Sequence, residues 1–280
     1  MRTIHTDDII KNIKEMCIAV NVKLSPDVRN AILTARENEE SEIGSQILGQ
    51  LEENMDIAYE SKIPICQDTG MAVVFLKIGQ DLHIEGDNIE NAVNEGIRQG
   101  YEEGYLRKSV VGDPIIRKNT GDNTPGIIHY GIVPGDRLEI TVAPKGFGSE
   151  NMSRIFMLKP ADGIEGVKKA ILETVEAAGP NACPPMVIGV GIGGTFEKCA
   201  ILAKKALTRD LDVHSDIPYI KDLETEMLEK VNNLGIGPGG LGGRVTAIGL
   251  NIETYPTHIA GLPVAVNICC HVNRHIKRVL

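Results

Sequence analysis

The chain has 280 residues, 42% of them hydrophobic, which suffices to bury a sizeable core without disulfide staples. A net charge of −9, four phenylalanines and no tryptophan exclude a basic groove or an aromatic platform for nucleic acid, and any anionic substrate must find a local cation. No apolar run approaches the ~20 residues of a membrane span. The opening Met1-Arg2-Thr3-Ile4-His5 lacks a secretory apolar stretch, so the expectation is a cytoplasmic protein whose six cysteines stay reduced.

Ile9, Ile10, Ile13, Met16, Cys17 and Val20 recur at helical spacing behind Asp7-Asp8 and predict a first helix, with Cys17 on its apolar face. Ser25-Pro26-Asp27 predicts a second, Ser25 as its cap and Pro26 in its first turn. Ile43, Ile47, Leu48, Leu51 and Met55 outline a third, so residues 1–62 read as helical. A polar turn, Ile63-Pro64-Ile65-Cys66-Gln67-Asp68-Thr69-Gly70, then precedes a strand over Met71–Ile78. Ile89 to Tyr101 predicts a helix ended by Gly104, and Ile127–Val133 and Leu138–Val142 predict two strands joined by Pro134-Gly135-Asp136. Leu138, Ile140 and Val142 alternate with polar residues, as in a sheet with one wet face.

Ile164 to Val175 predicts a helix, Met186–Ile192 a buried strand, and Ala200–Leu207 and Leu223 to Leu234 two more helices. A glycine-rich loop, Gly235 to Gly243, leads to strands over Val245–Ile252 and Val264–Ile268. With no repeat and no linker, the expected architecture is one mixed α and β domain over residues 1–280. It would have a β-sheet core covered by helices and a helical N-terminal region.

Three glycine-bearing tracts compete for attention. Gly189-Val190-Gly191-Ile192-Gly193-Gly194 satisfies the dinucleotide spacing, but Asp210 and Asp212 do not end a recognisable second strand. Those glycines read better as a tight strand-to-helix turn; a nucleotide-binding regulatory module is the competing functional class. Lys145-Gly146-Phe147-Gly148-Ser149-Glu150-Asn151 offers bare amides, a lysine and a hydroxyl to an anion, yet lacks P-loop spacing. Asn119-Thr120-Gly121-Asp122-Asn123-Thr124-Pro125-Gly126 is dense turn chemistry. Cys66, Cys183 and the pair Cys269-Cys270 stand at strand boundaries, whereas Cys17 and Cys199 lie in helical stripes. No C-x-x-C occurs, so a zinc ribbon has no support.

Cys66–Gly70, Asn119–Pro125, Lys145–Ser153, Gly179–Gly194 and His258–Cys270 resemble, in that order, the iron–sulfur (class I) fumarate hydratase and tartrate dehydratase family. The resemblance spans nearly the whole chain and implies the α subunit alone, since no second domain follows the last cysteine. It implies a [4Fe-4S] cluster held by Cys66, Cys183 and Cys270, with one iron left open as a Lewis acid in an oxygen-sensitive hydro-lyase that interconverts fumarate and malate. L-tartrate and mesaconate are the alternative substrates. The resemblance places the third ligand directly before His271. Neighbours on an extended chain point to opposite faces, so Cys269 is expected to pack into the core.

Gln67 and Asp68 are implied beside the open iron, Asp68 and His258 as catalytic residues and Arg107 as a substrate-carboxylate ligand. Gly146 and Gly148 flank a backbone-contact loop in which Phe147 departs from the glycines of some members. The general base is implied on a β subunit, so the α chain alone, which is also a candidate homodimer, is expected to hold half a site and be inactive.

Overall fold

The structure, a computed structural model, describes residues 2–280 and has the mixed α and β class expected. In chain order its elements begin with β1 (Arg2–His5), α1 (Thr6–Val22), α2 (Pro26–Asn38), α3 (Glu42–Ser61), β2 (Met71–Gly79), β3 (Leu82–Glu85), α4 (Ile89–Glu103), β4 (Ile127–Val133) and β5 (Leu138–Lys145). They continue with α5 (Phe147–Glu150), β6 (Arg154–Leu158), α6 (Gly163–Ala178), β7 (Met186–Gly193), α7 (Phe196–Ala206), α8 (Pro218–Asn232), β8 (Ala247–Tyr255), β9 (Leu262–Cys269) and β10 (Ile276–Val279). Contacts gather these into two compact units that do not follow chain order. One holds the chain through Ser25, Met55–Gly146 and Arg274–Leu280; the other holds Pro26–Asn54 and Phe147–Asn273.

The first unit is built on a four-stranded sheet of order β10-β5-β2-β4, with β1 and β3 paired apart from it. The strands β4 and β5, consecutive in sequence, are not neighbours. β2 lies between them, parallel to β4 and antiparallel to β5. Ala72, Val74, Leu76, Leu138, Ile140 and Val142 form its apolar face, against which α1 and α4 pack. Those helices lie close because Gly96 and Gly100 face α1; a Cβ on either would come within 2.8 Å of the Cβ of Ile13 or Cys17. His5 caps α1 by accepting the Asp7 amide, and Asp7 and Asp8 sit in the first turn, where the helix dipole favours acids.

The second unit has the sheet β6-β9-β7-β8. Its central strand β7 is covered on both faces, which explains its unbroken apolar run. Met186, Ile188 and Val190 pack with α6 and α8 through Val167, Ile171, Leu223 and Met227. The other face carries Gly189 and Gly191, onto which α7 closes so tightly that a Cβ would overlap the carbonyls of Ala203 and Cys199. α2 begins at Pro26 as expected, but the buried Ser25 hydroxyl has no hydrogen-bond partner. No helix among the described residues is long and apolar enough to cross a membrane.

Candidate active site

The Cys66 turn joins α3 to β2 within the first unit. Cys66 Sγ accepts the Asp68 amide at 3.4 Å and faces Gln67 Oε1 at 3.4 Å. Gln67 is exposed and Asp68 half-buried. One oxygen of Asp68, Oδ1, accepts the Gly70 amide at 3.1 Å. The other lies where a Cβ at Gly146 would approach to 2.9 Å, so the bare glycine leaves room for the carboxylate. Gly70 has φ +80 and backs onto the Lys145 main chain, a conformation and a space that suit glycine alone.

Four side chains satisfy the polar groups of this turn. Tyr101, wholly buried on α4, shares its hydroxyl proton between the carbonyls of Thr69 at 2.8 Å and Gly70 at 2.9 Å. Burial raises its phenol above the ordinary value, so it remains a donor. Asn123 Nδ2 donates to Gly70 at 3.1 Å while its Oδ1 accepts the Ser109 amide at 2.6 Å. Arg274 Nη2 donates to the Asp68 carbonyl at 2.5 Å. Thr69 Oγ1 donates to the Arg107 carbonyl at 3.0 Å, which fixes the exposed Arg107 beside the turn. Cys66, Gln67, Asp68, Arg107 and Gly146 are thus gathered in one unit.

In the second unit Cys183 ends a short 3-10 turn, exposed, with φ 53 and ψ 65. A left-handed residue that is not glycine is costly, by about 1–3 kcal/mol, and such residues concentrate at functional sites. Pro184-Pro185 then leads into β7. Cys270 follows the end of β9 and is half-buried, and His271 Nδ1 lies 3.2 Å from the Cys183 carbonyl. Both cysteines therefore stand at the same end of the sheet. Cys269 points the other way and is buried with Val187 and Leu207.

His258 is elsewhere. It lies in the turn from β8 to β9, exposed, its Nδ1 accepting the Ala260 amide at 3.2 Å. The antiparallel register pairs Val187 with Cys269 at one end of β7 and Ile192 with Val264 at the other. At ~3.3 Å per residue, most of a strand length separates His258 from Cys183 and Cys270. It lines a cavity of about 430 Å³ with Ile164, Tyr219, Ile259 and Leu262. Gly148 sits in the single turn of α5 with nothing within 4 Å of where its Cβ would be. That turn is anchored by Glu150, which pairs with Lys204 and accepts Asn267 Nδ2 at 2.9 Å.

The six cysteines divide by surroundings. Cys17, Cys199 and Cys269 are buried, and burial pushes the Cys17 thiol up to about 12 and raises that of Cys199. Cys66, Cys183 and Cys270 keep contact with solvent. No group of three or more His, Cys, Asp and Glu side chains is gathered for a single metal ion among the described residues.

Sequence reading missed Tyr101, Asn123 and Arg274 as supports of the Cys66 turn. Tyr101 falls in an apolar helical stripe and Asn123 in generic turn chemistry; Arg274 carries no local signal. The spacing of Gly189 and Gly191 suggests a turn, but the structure uses them for helix packing. Only Gly193 and Gly194, with φ of 90 and 70, make the turn itself.

The family model described as fumarate hydratase (Fumerase) matches residues 10–279. The chain is 45% identical over 265 residues to the putative L(+)-tartrate dehydratase subunit alpha of Methanocaldococcus jannaschii, covering 92% of this chain and 93% of that one. It is 31% identical over 270 residues to the L(+)-tartrate dehydratase subunit alpha of Escherichia coli K12, covering 95% and 88%.

Proposed function

Because the chain belongs to the fumarate hydratase family, a family of hydro-lyases, we propose that it is the α subunit of a heteromeric enzyme that interconverts fumarate and malate. The observation that carries this reading is the Cys66 turn: a solvent-reaching thiol beside a half-buried carboxylate, an exposed amide and an exposed guanidinium, on a main chain whose carbonyls are held by buried donors. Cys66, Cys183 and Cys270 would hold a [4Fe-4S] cluster. The donor set fits, because such a cluster takes one thiolate per iron and these are the three thiols that burial leaves accessible. When bound, the cluster supplies an iron without a protein ligand, a Lewis acid for a substrate hydroxyl and carboxylate.

In this reading Arg107 pairs with a substrate carboxylate, and Gln67 and the amides around Gly146 and Gly148 orient the dicarboxylate. Asp68 handles the proton at the departing or arriving oxygen. A base on the β subunit takes the proton from the neighbouring carbon. His258, a strand length from the cysteines of its own unit, meets the reaction in this scheme only from another chain of the assembly, such as a second α chain. The proposed compartment is the reducing cytoplasm, and an iron without a protein ligand would make the enzyme oxygen-sensitive.

L(+)-tartrate is the second reading, favoured by the names of both relatives. The test is an anaerobic assay of the iron- and sulfide-loaded chain, with and without its β subunit, on malate, L(+)-tartrate and mesaconate. Turnover of malate by the mixture and none by the α chain alone is expected. Preferential turnover of tartrate would replace the first substrate by the second, and full activity of the α chain alone would overturn the half-site reading.

A further inference from the structure

Arg274 is 3% exposed, and only one of its three nitrogens has an acceptor: Nη2 donates to the Asp68 carbonyl, while Nε and Nη1 are buried with no hydrogen-bond partner. A guanidinium cannot shed its proton to escape such a position. Each unmet donor forfeits the hydrogen bond to water that it had in the unfolded chain, and the loss is larger for a charged group. An apolar residue of similar length would fill the volume without that cost, so two empty donors on a buried cation point to an acceptor that the chain itself does not supply.

Its location narrows the acceptor. The Asp68 residue whose carbonyl accepts Nη2 donates its own amide to Cys66 Sγ at 3.4 Å, so the cation lies one residue's hydrogen bonds from that thiol. Other acceptors of the turn already have donors: the Thr69 and Gly70 carbonyls take Tyr101 and Asn123, and Asp68 Oδ1 takes the Gly70 amide. What the filled site adds there is negative charge, from a thiolate and inorganic sulfide.

We propose that Arg274 is a positioning and charge-balancing residue for the cluster: its unused donors are directed at the sulfur atoms gathered beside Cys66, while its third nitrogen holds the turn that presents them. This rests on the cluster reading given above. Hydrogen bonds and nearby charge set the potential and retention of such clusters, so the residue has a readout that does not depend on turnover.

The test compares the full chain with Arg274→Met and Arg274→Lys, each metal-free and after anaerobic loading with iron and sulfide. Three readouts apply: iron and sulfide content, the one-electron midpoint potential, and thermal melting. Wild type should load. The methionine variant should lose iron to a chelator about tenfold faster or more, with a more negative midpoint potential. Its metal-free form should melt no lower than wild type, because two unmet buried donors have gone. The lysine variant should keep the potential nearer wild type while losing iron faster, since it restores charge without the fork.

A methionine variant that melts lower by the same amount in both forms would mark Arg274 as structural, its donors satisfied by buried water, and would overturn the proposal. Unchanged iron retention and potential with weakened dicarboxylate binding would assign the donors to substrate and overturn it as well. If wild type takes up no iron and sulfide, the cluster reading itself fails, a result distinguishable from wild type loading and the variants matching it.

Discussion

The hydroxyl of Tyr101 donates to the carbonyl of Gly70 at 2.9 Å, joining α4 to the residue that closes the Cys66 turn. Tyr101→Phe keeps the packing and removes this bond together with the one to Thr69. The expected loss is about 1–2 kcal/mol of stability, read as a lower denaturant midpoint at unchanged slope. Alkylation of Cys66 in the metal-free variant should also be faster. A variant as stable as wild type, with unaltered Cys66 labelling, would show that Asn123 alone suffices.

Thiol labelling separates the cysteines without reference to any reaction. In the metal-free native chain, an alkylating reagent should modify Cys66, Cys183 and Cys270 first, and Cys17, Cys199 and Cys269 only after unfolding. Peptide mass spectrometry at successive times checks this order. Early modification of Cys269 would contradict its burial with Val187 and Leu207.

Alkaline stability follows from the buried acids. The Cys17 thiol, ordinarily near 9.0, is pushed up to about 12 by burial. Above pH 9 the unfolded chain sheds this proton while the folded chain keeps it, so the unfolded state binds fewer protons and stability falls as pH rises from about 9 towards 12. The raised Tyr101 phenol acts in the same direction. Urea unfolding at stepped pH should show the decline, and Cys17→Ala should make it shallower.

Two glycines of similar local appearance should respond in opposite ways. Gly191→Ala drives a methyl into the Cys199 carbonyl on α7, an overpacking expected to cost about 1–3 kcal/mol or more. Gly148→Ala meets open space and should change stability by no more than about 0.5 kcal/mol. Thermal melting of the two purified variants decides the comparison.

The longer elements were legible because hydrophobic periodicity is a local property. α1, α4, α6 and β7 stand where their apolar spacing predicts. β1, β3, β6 and β10 were not foreseen, because four or five residues carry too little pattern to distinguish a strand from a loop. The resemblance implies the candidate site residues from short motifs; Cys66, Gln67, Asp68, Arg107 and Gly146 lie in one compact unit, and Gly148, Cys183, His258 and Cys270 lie in the other.

Other features depended on partners distant in the chain. Sequence alone determined the longer helical and extended segments, and that Cys66 sits in a polar turn too rich in functional groups for packing. It held no information that β2 would lie between β4 and β5, since strand order follows from summed burial across the sheet. Tertiary structure alone decided that Gly189 and Gly191 serve α7, and that His258 stands a strand length from Cys183 and Cys270. It also decided that Arg274, 208 residues after Cys66 in the chain, lies under the Cys66 turn with two donors unmet. Contacts over such separations leave no trace in local spacing.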